Sequence, residues 1–252
     1  MKLAVPFALV AICTTSLMAQ SKLSEWPQHS EERPKPPVVQ PGAAYTVAPP
    51  SDAVVLFGGT SLERWTQGNG APAKWRVADG AFQVVPSTGT LSTRDSFGDV
   101  QLHIEWAAPN PPVGTGQDRG NSGVFFGDGR YEVQVLDSRN NDTYADGQAG
   151  ALYGQFPPMV NVSRAPGEWQ TYDIVYHRPR FGASGAMSSP ARLTVFHNGV
   201  LVQDDMELVG PTANRSRPPY TAHADRLPIT LQDHGHPVRF RNVWVRDLEQ
   251  VK

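Results

Sequence analysis

From about residue 53 onward, the chain consists of short β-type runs separated by turn residues, and we find no segment with helical periodicity. Several runs alternate apolar and polar residues, as half-buried strands do. Asp79-Gly80 and Asn198-Gly199 each separate two such runs and predict tight hairpins, because both positions tolerate a positive φ. Glycine and proline, at 23 each, are typical of a fold with many turns. The pattern predicts an all-β fold, an antiparallel β-sandwich.

Length and charge limit the classes of protein further. A chain of 252 residues can form one β-sandwich domain, which we place at residues 53–250. The net charge is −2 and the arginines are scattered, so no basic field attracts nucleic acid. We therefore expect no nucleic-acid partner.

The first 20 residues have the features of a secretory signal peptide: Lys2, an apolar run from Leu3 to Cys13, and small residues up to Ala19. A membrane anchor is the alternative, but the run is too short for a bilayer core of roughly 30 Å. Lipoprotein processing at Cys13 is a minor alternative. We expect a periplasmic or secreted protein whose mature chain has no membrane span and no cysteine, which excludes disulfides and thiolate chemistry.

Residues 21–52 are rich in proline, which removes backbone donors and favours extended conformations. We predict a linker, or an arm that lies along the surface of the domain.

The run that begins at Tyr131 has two distinct faces. Glu132 and Gln134 point one way, and Val133 and Val135 point the other way with the tyrosine. A sheet with one apolar face and one face of acids, amides and aromatics is typical of a sugar-binding sandwich. We predict an inner strand whose Glu132 face lines a sugar cleft.

Retaining glycosidases of related sandwiches place carboxylates at i, i+2 and i+4 of one strand face. The matching positions here are Glu132, Gln134 and Leu136, so the set is incomplete. Asp142 or Asp146, in the following loop, could return to the site. A conventional two-carboxylate mechanism is therefore disfavoured, and Glu132 as a plain solvated strand residue is the structural alternative.

The long loop of residues 137–154 has no secondary-structure pattern and carries Tyr144, Asp146 and Tyr153. Loops of this length inside compact domains are often functional. Glycines at 147, 150 and 154 allow the chain to fold back, so we predict that the loop forms the cleft wall and carries these side chains inward.

Two further motifs carry polar side chains beside glycines. GQDRGNSGVFF places Arg119 and Asn121 where they could bind vicinal sugar oxygens, unless the motif is only a hairpin loop. The segment from Gln232 to His236 holds two histidines, which are a weak indication of a metal site. Alternatively, His234 is a general base, or both histidines are exposed turn residues.

Seven ordered motifs together resemble the 3-keto-disaccharide hydrolase domain family of bacteria: AVVLFGGTSLERW, RGNSGVFF, YEVQVLDS, TYADGQAGALYGQ, PGEWQTYDIVYHRPRF, VFHNGVLVQDDMEL and LQDHGHPVRFRNVWVRDL. The resemblance spans nearly everything from Asp52 to Leu248. It implies a jelly-roll sandwich of the concanavalin A-like lectin/glucanase type. It also implies that the protein is exported and processes an oligosaccharide or glycoside. The family often occurs together with an oxidoreductase that oxidises a sugar at C3, which would be a companion enzyme here.

A 3-keto group acidifies the proton on C2, so the bond to the anomeric oxygen can break by β-elimination, with water added afterwards, or by hydrolysis. Such a route needs an acid and a base rather than two carboxylates about 5 Å apart. We predict Glu132 and His234 as the acid/base pair. The predicted substrate-binding residues are Arg119, Asn121, Gln134, Tyr144, Asp146, Tyr153 and Gln232.

Metal ligands are a weaker prediction. His103, Glu105, His234 and His236 are the candidate ligands, but none of their spacings is diagnostic, and we expect neither a metal nor another cofactor. The alternative functions are a non-catalytic lectin-like module, which the same fold supports, and a conventional glycosidase.

Overall fold

The computed structural model describes residues 25–249. Within that range the regular structure is β-strand apart from one 3₁₀ turn, Ala145–Gly147. In chain order the strands are β1 (Val54–Phe57), β2 (Trp65–Gln67), β3 (Arg76–Ala78), β4 (Ala81–Gln83), β5 (Leu91–Thr93), β6 (Val100–Ala107), β7 (Ser122–Phe126), β8 (Tyr131–Val135), β9 (Gln170–His177), β10 (Arg180–Phe181), β11 (Met187–Ser189), β12 (Arg192–His197), β13 (Val200–Glu207), β14 (Thr230–Leu231) and β15 (Arg239–Asp247). The predicted all-β fold is confirmed.

Two antiparallel sheets form the sandwich. The 8-stranded sheet has the order β13-β12-β9-β6-β15-β4-β3, with β1 also paired to β15. The 5-stranded sheet has the order β2-β5-β14-β7-β8, and β10 pairs separately with β11. The predicted hairpins occur where expected: φ is 52° at Asp79 and 72° at Gly80, and 52° at Asn198 and 78° at Gly199. Positive φ at both central residues lets such a turn match the twist of its strands.

The core lies between the two sheets and is built from the apolar faces of their strands. Tyr131, Val133 and Val135 of β8 are buried in it, as the alternation predicts. The ring of Phe126 in β7 stacks on Tyr176 of β9 with centroids 4.6 Å apart. These contacts fix which face of β8 points away from the core.

The predicted inner position of β8 is wrong, because β8 is the edge strand of its sheet. Its open edge is covered by the returning loop instead: Gln134 N donates to Ala151 O at 3.0 Å, and Gly150 N donates to Gln134 O at 3.0 Å. The loop therefore satisfies backbone groups that an exposed edge would leave unpaired.

The proline-rich segment lies against the sandwich from residue 25 onward. Val38 forms a parallel bridge with Asn161, and the Tyr45 hydroxyl lies 3.5 Å from an Asp173 carboxylate oxygen. The predicted signal peptide, including Cys13, lies outside the described residues. Between residues 25 and 249, no helix is long and apolar enough to cross a membrane.

Replacing Ile174 with alanine tests the core. Ile174 is fully buried and pairs with Leu102 of β6 and Val195 of β12. We expect Ile174→Ala to lower the free energy of unfolding by about 2–5 kcal/mol, measured by denaturant titration. Val113, with 73% of its surface exposed, is the matched control site, and Val113→Ala should cost much less. Equal losses in the two variants would contradict the assigned core.

Candidate functional site

A cavity of about 250 Å³ opens on the face of the 5-stranded sheet that points away from the core. Ligand pockets in proteins usually measure about 300 Å³ or more, so this one suits a small ligand group. Its lining is mostly polar and comes from β7, β8 and the segments around them: Asn121, Phe125, Glu132, Gln134, Tyr153, Thr212, Ala213, Asn214, Gln232 and His234.

The register of β7 against β8 brings the cavity residues together. Gly123 pairs with Gln134, and Phe125 pairs with Glu132, so these residues share one face. A Cβ atom built on Gly123 would lie 2.5 Å from Glu132 Oε1, so a glycine is needed there to admit the carboxyl group. Gln232 N donates to Gly123 O at 3.0 Å, which brings the segment after β14 to the same floor.

Glu132 is only 5% exposed, although it points away from the core. Its Oε1 atom lies 3.1 Å from the side-chain amide of Gln134. Burial raises the pKa of Glu132 to about 8. A carboxyl group with that pKa is largely protonated near neutral pH, and it can donate a proton.

His234 lies at the mouth of the cavity, where its side chain meets solvent. Its ring is nearly parallel to that of His236, with centroids 5.8 Å apart. Partial burial by the surrounding protein, followed by the influence of His236, lowers the pKa of His234. Near neutral pH its imidazole is therefore largely uncharged and can accept a proton.

The loop after β8 folds back over the cavity and supplies Tyr153 to its lining. The Tyr153 hydroxyl lies 2.8 Å from the Tyr144 hydroxyl, and burial raises the pKa of both phenols. Tyr144 and Asp146 are not among the lining residues. Tyr144 contacts Tyr153 through its hydroxyl group, and Asp146 O accepts a hydrogen bond from Gly154 N at 2.8 Å. Their absence from the lining differs from their predicted place in the substrate site.

Amide side chains form a connected group on the cavity floor. The Gln134 amide lies 2.9 Å from the Gln117 amide, and Asn121 Nδ2 donates to Gln117 O at 2.8 Å. Gln232 Oε1 is buried without a hydrogen-bond partner among the described residues. Asn121, Gln134 and Gln232 therefore lie where the sequence analysis put them, beside Glu132.

Arg119, like Tyr144 and Asp146, is a predicted site residue that does not line the cavity. Its Nε donates to Asp137 Oδ2 at 2.7 Å, and its other donors bond the carbonyls of Arg139 and Asn140. The guanidinium holds the start of the loop instead of reaching the cavity, because the carboxylate of Asp137 is close enough to pair with it.

The candidate metal ligands do not converge. His103 and Glu105 lie on β6 in the other sheet, where His103 Nδ1 is 2.6 Å from Asp173 Oδ1. His236 is near the cavity, but its Nε2 lies 3.2 Å from Asp118 Oδ1. In residues 25–249 no group of three or more histidine, cysteine, aspartate or glutamate side chains is arranged to hold a metal ion.

Some lining residues are absent from the predicted site. Thr212, Ala213 and Asn214 follow β13 in a segment with no periodicity, so only the tertiary fold brings them to the cavity. Phe125 stands between two apolar neighbours, which conceals its outward direction in the sequence.

The buried carboxyl group makes stability depend on pH. The pKa of Glu132 is 4.5 when unperturbed and about 8 in the fold. Between these values the folded chain holds a proton that the unfolded chain releases, so Glu132 lowers stability as pH rises. We expect the melting temperature of Glu132→Gln, relative to wild type, to rise from about pH 5 to about pH 8.

The same substitution at the exposed Glu63 is the control and should shift the melting temperature equally at each pH. A constant difference for Glu132→Gln would show that the carboxyl group is not destabilised in the fold.

Residues 52–246 match the family model described as a 3-keto-alpha-glucoside-1,2-lyase-like domain. A search of curated protein sequences returned no match. A crystal structure from Parabacteroides distasonis, provisionally named a glycosyl hydrolase, is 41% identical, with a TM-score of 0.78 over 97% of this chain and 100% of that one.

A second protein from Parabacteroides distasonis, also provisionally named a glycosyl hydrolase, is 20% identical. It covers 78% of this chain and 94% of its own, with a TM-score of 0.57. At this identity the likeness extends to the fold alone.

Proposed function

The chain belongs to the family of 3-keto-alpha-glucoside-1,2-lyase-like domains, and we propose that it cleaves the glycosidic bond of 3-keto-glycosides in the cavity around Glu132. The family and the 41% identical structure support the broader class, a carbohydrate-active enzyme. The observation that carries the finer proposal is the pairing of a buried acid with a neutral imidazole in one small polar cavity.

Glu132 and His234 are suited to opposite proton transfers. The pKa of the carboxyl group is raised to about 8, and that of the imidazole is lowered below its ordinary 6.5. Two groups whose pKa values are shifted in opposite directions are matched to acid and base roles. His234 is then the base and Glu132 the acid.

The reaction begins when His234 Nε2 or Nδ1 removes the proton from C2, next to the ketone. The electrons form an enolate, and then the C1–C2 double bond, as the bond between C1 and the leaving oxygen breaks. Glu132 gives its proton to that oxygen. Water adds to the double bond afterwards, and the two groups regain their starting protonation states.

The other lining residues would hold the sugar. Asn121, Gln134 and Gln232 offer amide donors and acceptors, which match vicinal hydroxyls. Tyr153 borders the same space with its ring. The volume of about 250 Å³ favours one oxidised sugar ring in the cavity with the aglycone towards solvent.

A conventional retaining mechanism is less well supported. It needs two carboxyl groups about 5 Å apart, and Glu132 is the one carboxyl group among the cavity-lining residues named above. Asp142 and Asp146, which the sequence left available for that role, are not in the lining.

The proposal extends to the setting of the reaction. The N-terminal sequence supports export, and a 3-keto substrate must come from an enzyme that oxidises a sugar at C3. We therefore include periplasmic or secreted location and a companion oxidoreductase.

Turnover tests the function directly. Purified protein is incubated with matched pairs of disaccharides, each with and without oxidation at C3, and products are followed by mass spectrometry. We expect aglycone release from the oxidised member alone. Binding without product from any oxidised sugar would instead favour a lectin-like module, and release from the unoxidised members would favour a conventional glycosidase.

Substitutions test the two roles. We expect Glu132→Gln and His234→Ala each to lower kcat by about 10²-fold or more, because each removes one proton transfer. Glu63→Gln, on an exposed side chain, is the control. Full activity in either site variant would contradict its assignment.

The pH profile assigns the roles. In wild type, kcat/KM should fall below the lowered pKa of His234, where the base is protonated, and above about pH 8, where Glu132 loses its proton. The residual activity of Glu132→Gln should lack the alkaline limb. An unchanged alkaline limb in that variant would remove Glu132 from the acid role.

A further inference from the structure

The N-terminal arm reaches the cavity wall through residues 28–33. Gln28 Nε2 donates to Ala213 O at 2.7 Å, and Ala213 lines the cavity. A Cβ atom at Gly154 would lie 2.0 Å from Gln28 Nε2, so the glycine leaves the space that Gln28 fills. Arg33 Nη1 donates to Gln155 O at 3.5 Å, at the end of the same loop. The arm is therefore bonded both to the segment that holds Ala213 and to the end of the loop that carries Tyr153.

His29 stands between these two anchor points. Its φ is 62°, a left-handed conformation that is uncommon for a residue other than glycine and that other contacts must stabilise. Its backbone N–H donates to Asp146 Oδ2 at 3.2 Å. Its ring stacks on Tyr144 with centroids 4.1 Å apart, and it lies 5.1 Å from the ring of Tyr153.

The group formed by His29, Tyr144, Asp146 and Tyr153 holds buried polar atoms that the described residues do not satisfy. Among residues 25–249, His29 Nε2 and Asp146 Oδ1 are buried without hydrogen-bond partners. Leaving such atoms unpaired costs about 1–3 kcal/mol each. An apolar side chain would pack against Tyr144 without that cost, so polar groups at this place fit a role in the chemistry of the site.

The groups around His29 keep its ring uncharged near neutral pH. Burial lowers its pKa most, Asp146 and Glu31 oppose that change, and Arg215 adds to it. Tyr144 and Tyr153 complete its surroundings. A neutral imidazole can pack against the phenol rings of Tyr144 and Tyr153 without placing a charge next to them.

Tyr144 and Tyr153 share one hydrogen bond, which leaves the hydroxyl proton of one of them for another acceptor. When Tyr144 donates to Tyr153 across their 2.8 Å contact, the Tyr153 O–H is left to donate elsewhere. Tyr153 borders the cavity, and a donor that is itself hydrogen-bonded by another hydroxyl is strengthened. Removal of the C2 proton places negative charge on the C3 oxygen, which requires such a donor.

We propose that Tyr153 donates a hydrogen bond to the enolate oxygen at C3, and that His29, carried by the N-terminal arm, is a positioning residue that holds the Tyr144–Tyr153 pair in place for it. This inference rests on the proposed function. Tyr153 keeps its proton throughout and only stabilises the charge.

The test is a double-mutant cycle on a 3-keto-disaccharide. Tyr153→Phe should lower kcat by about 10²- to 10³-fold, as loss of one oxyanion donor does elsewhere. His29→Ala should lower kcat by about tenfold with KM little changed, because the hydrogen bond from Tyr153 to the enolate oxygen forms chiefly in the transition state. In the Tyr153→Phe background, His29→Ala should have almost no further effect.

Glu32→Ala, an exposed position on the same arm, is the matched control and should keep wild-type turnover. An equal effect of His29→Ala in both backgrounds would overturn the proposal, because His29 would then act independently of Tyr153. Wild-type turnover in His29→Ala would overturn it as well.

A second readout separates this inference from the proposed function. If wild-type protein cleaves no 3-keto-glycoside, the proposed function fails, and with it the role of Tyr153 at the enolate. The positioning role of His29 is still tested by the NMR signals of the tyrosine rings and by ultraviolet titration of the tyrosines at alkaline pH. His29→Ala should shift the signals and titration of Tyr144 and Tyr153, and unchanged signals would overturn the positioning role.

Discussion

The packing of the two sheets against each other is the constraint on which the site depends. Tyr131, Val133 and Val135 bury the inner face of β8 in the core, and Phe126 stacks on Tyr176 across the interface. A slip of one residue would turn the apolar set outward and bring Glu132 into the core. The same contacts that stabilise the sandwich therefore direct the carboxyl group into the cavity.

Burial then shifts the pKa values of Glu132 and His234 in the cavity. Glu132 is shielded from solvent beneath the cavity residues, which raises its pKa to about 8, whereas His234 at the mouth has its pKa lowered. Desolvation disfavours the charged form of both groups, so an acid and a base are both neutral near pH 7. Glu132 can therefore donate a proton and His234 can accept one, and these two roles need no second carboxyl group.

Alternation in the sequence predicted the parts of the site that lie on strands. Glu132 and Gln134 share the outer face of β8, as a period of two requires, and Gln232 follows β14 onto the same floor. Loop positions followed no such rule. Arg119 was expected to bind the sugar, but it pairs with Asp137 and holds the start of the loop. The position of β8 at the edge of its sheet, rather than inside it, was also not predicted.

The sequence by itself determined the all-β class, the two hairpins and the polar face of β8, because these follow from local backbone preferences and from the period of a strand. Only the tertiary structure decided that the arm meets the loop at His29, and that Thr212 and its neighbours border the cavity. Those contacts join residues far apart in the chain and have no periodicity of their own. They form because the loop must cover the open edge of β8, and the arm then packs against the surface that this loop creates.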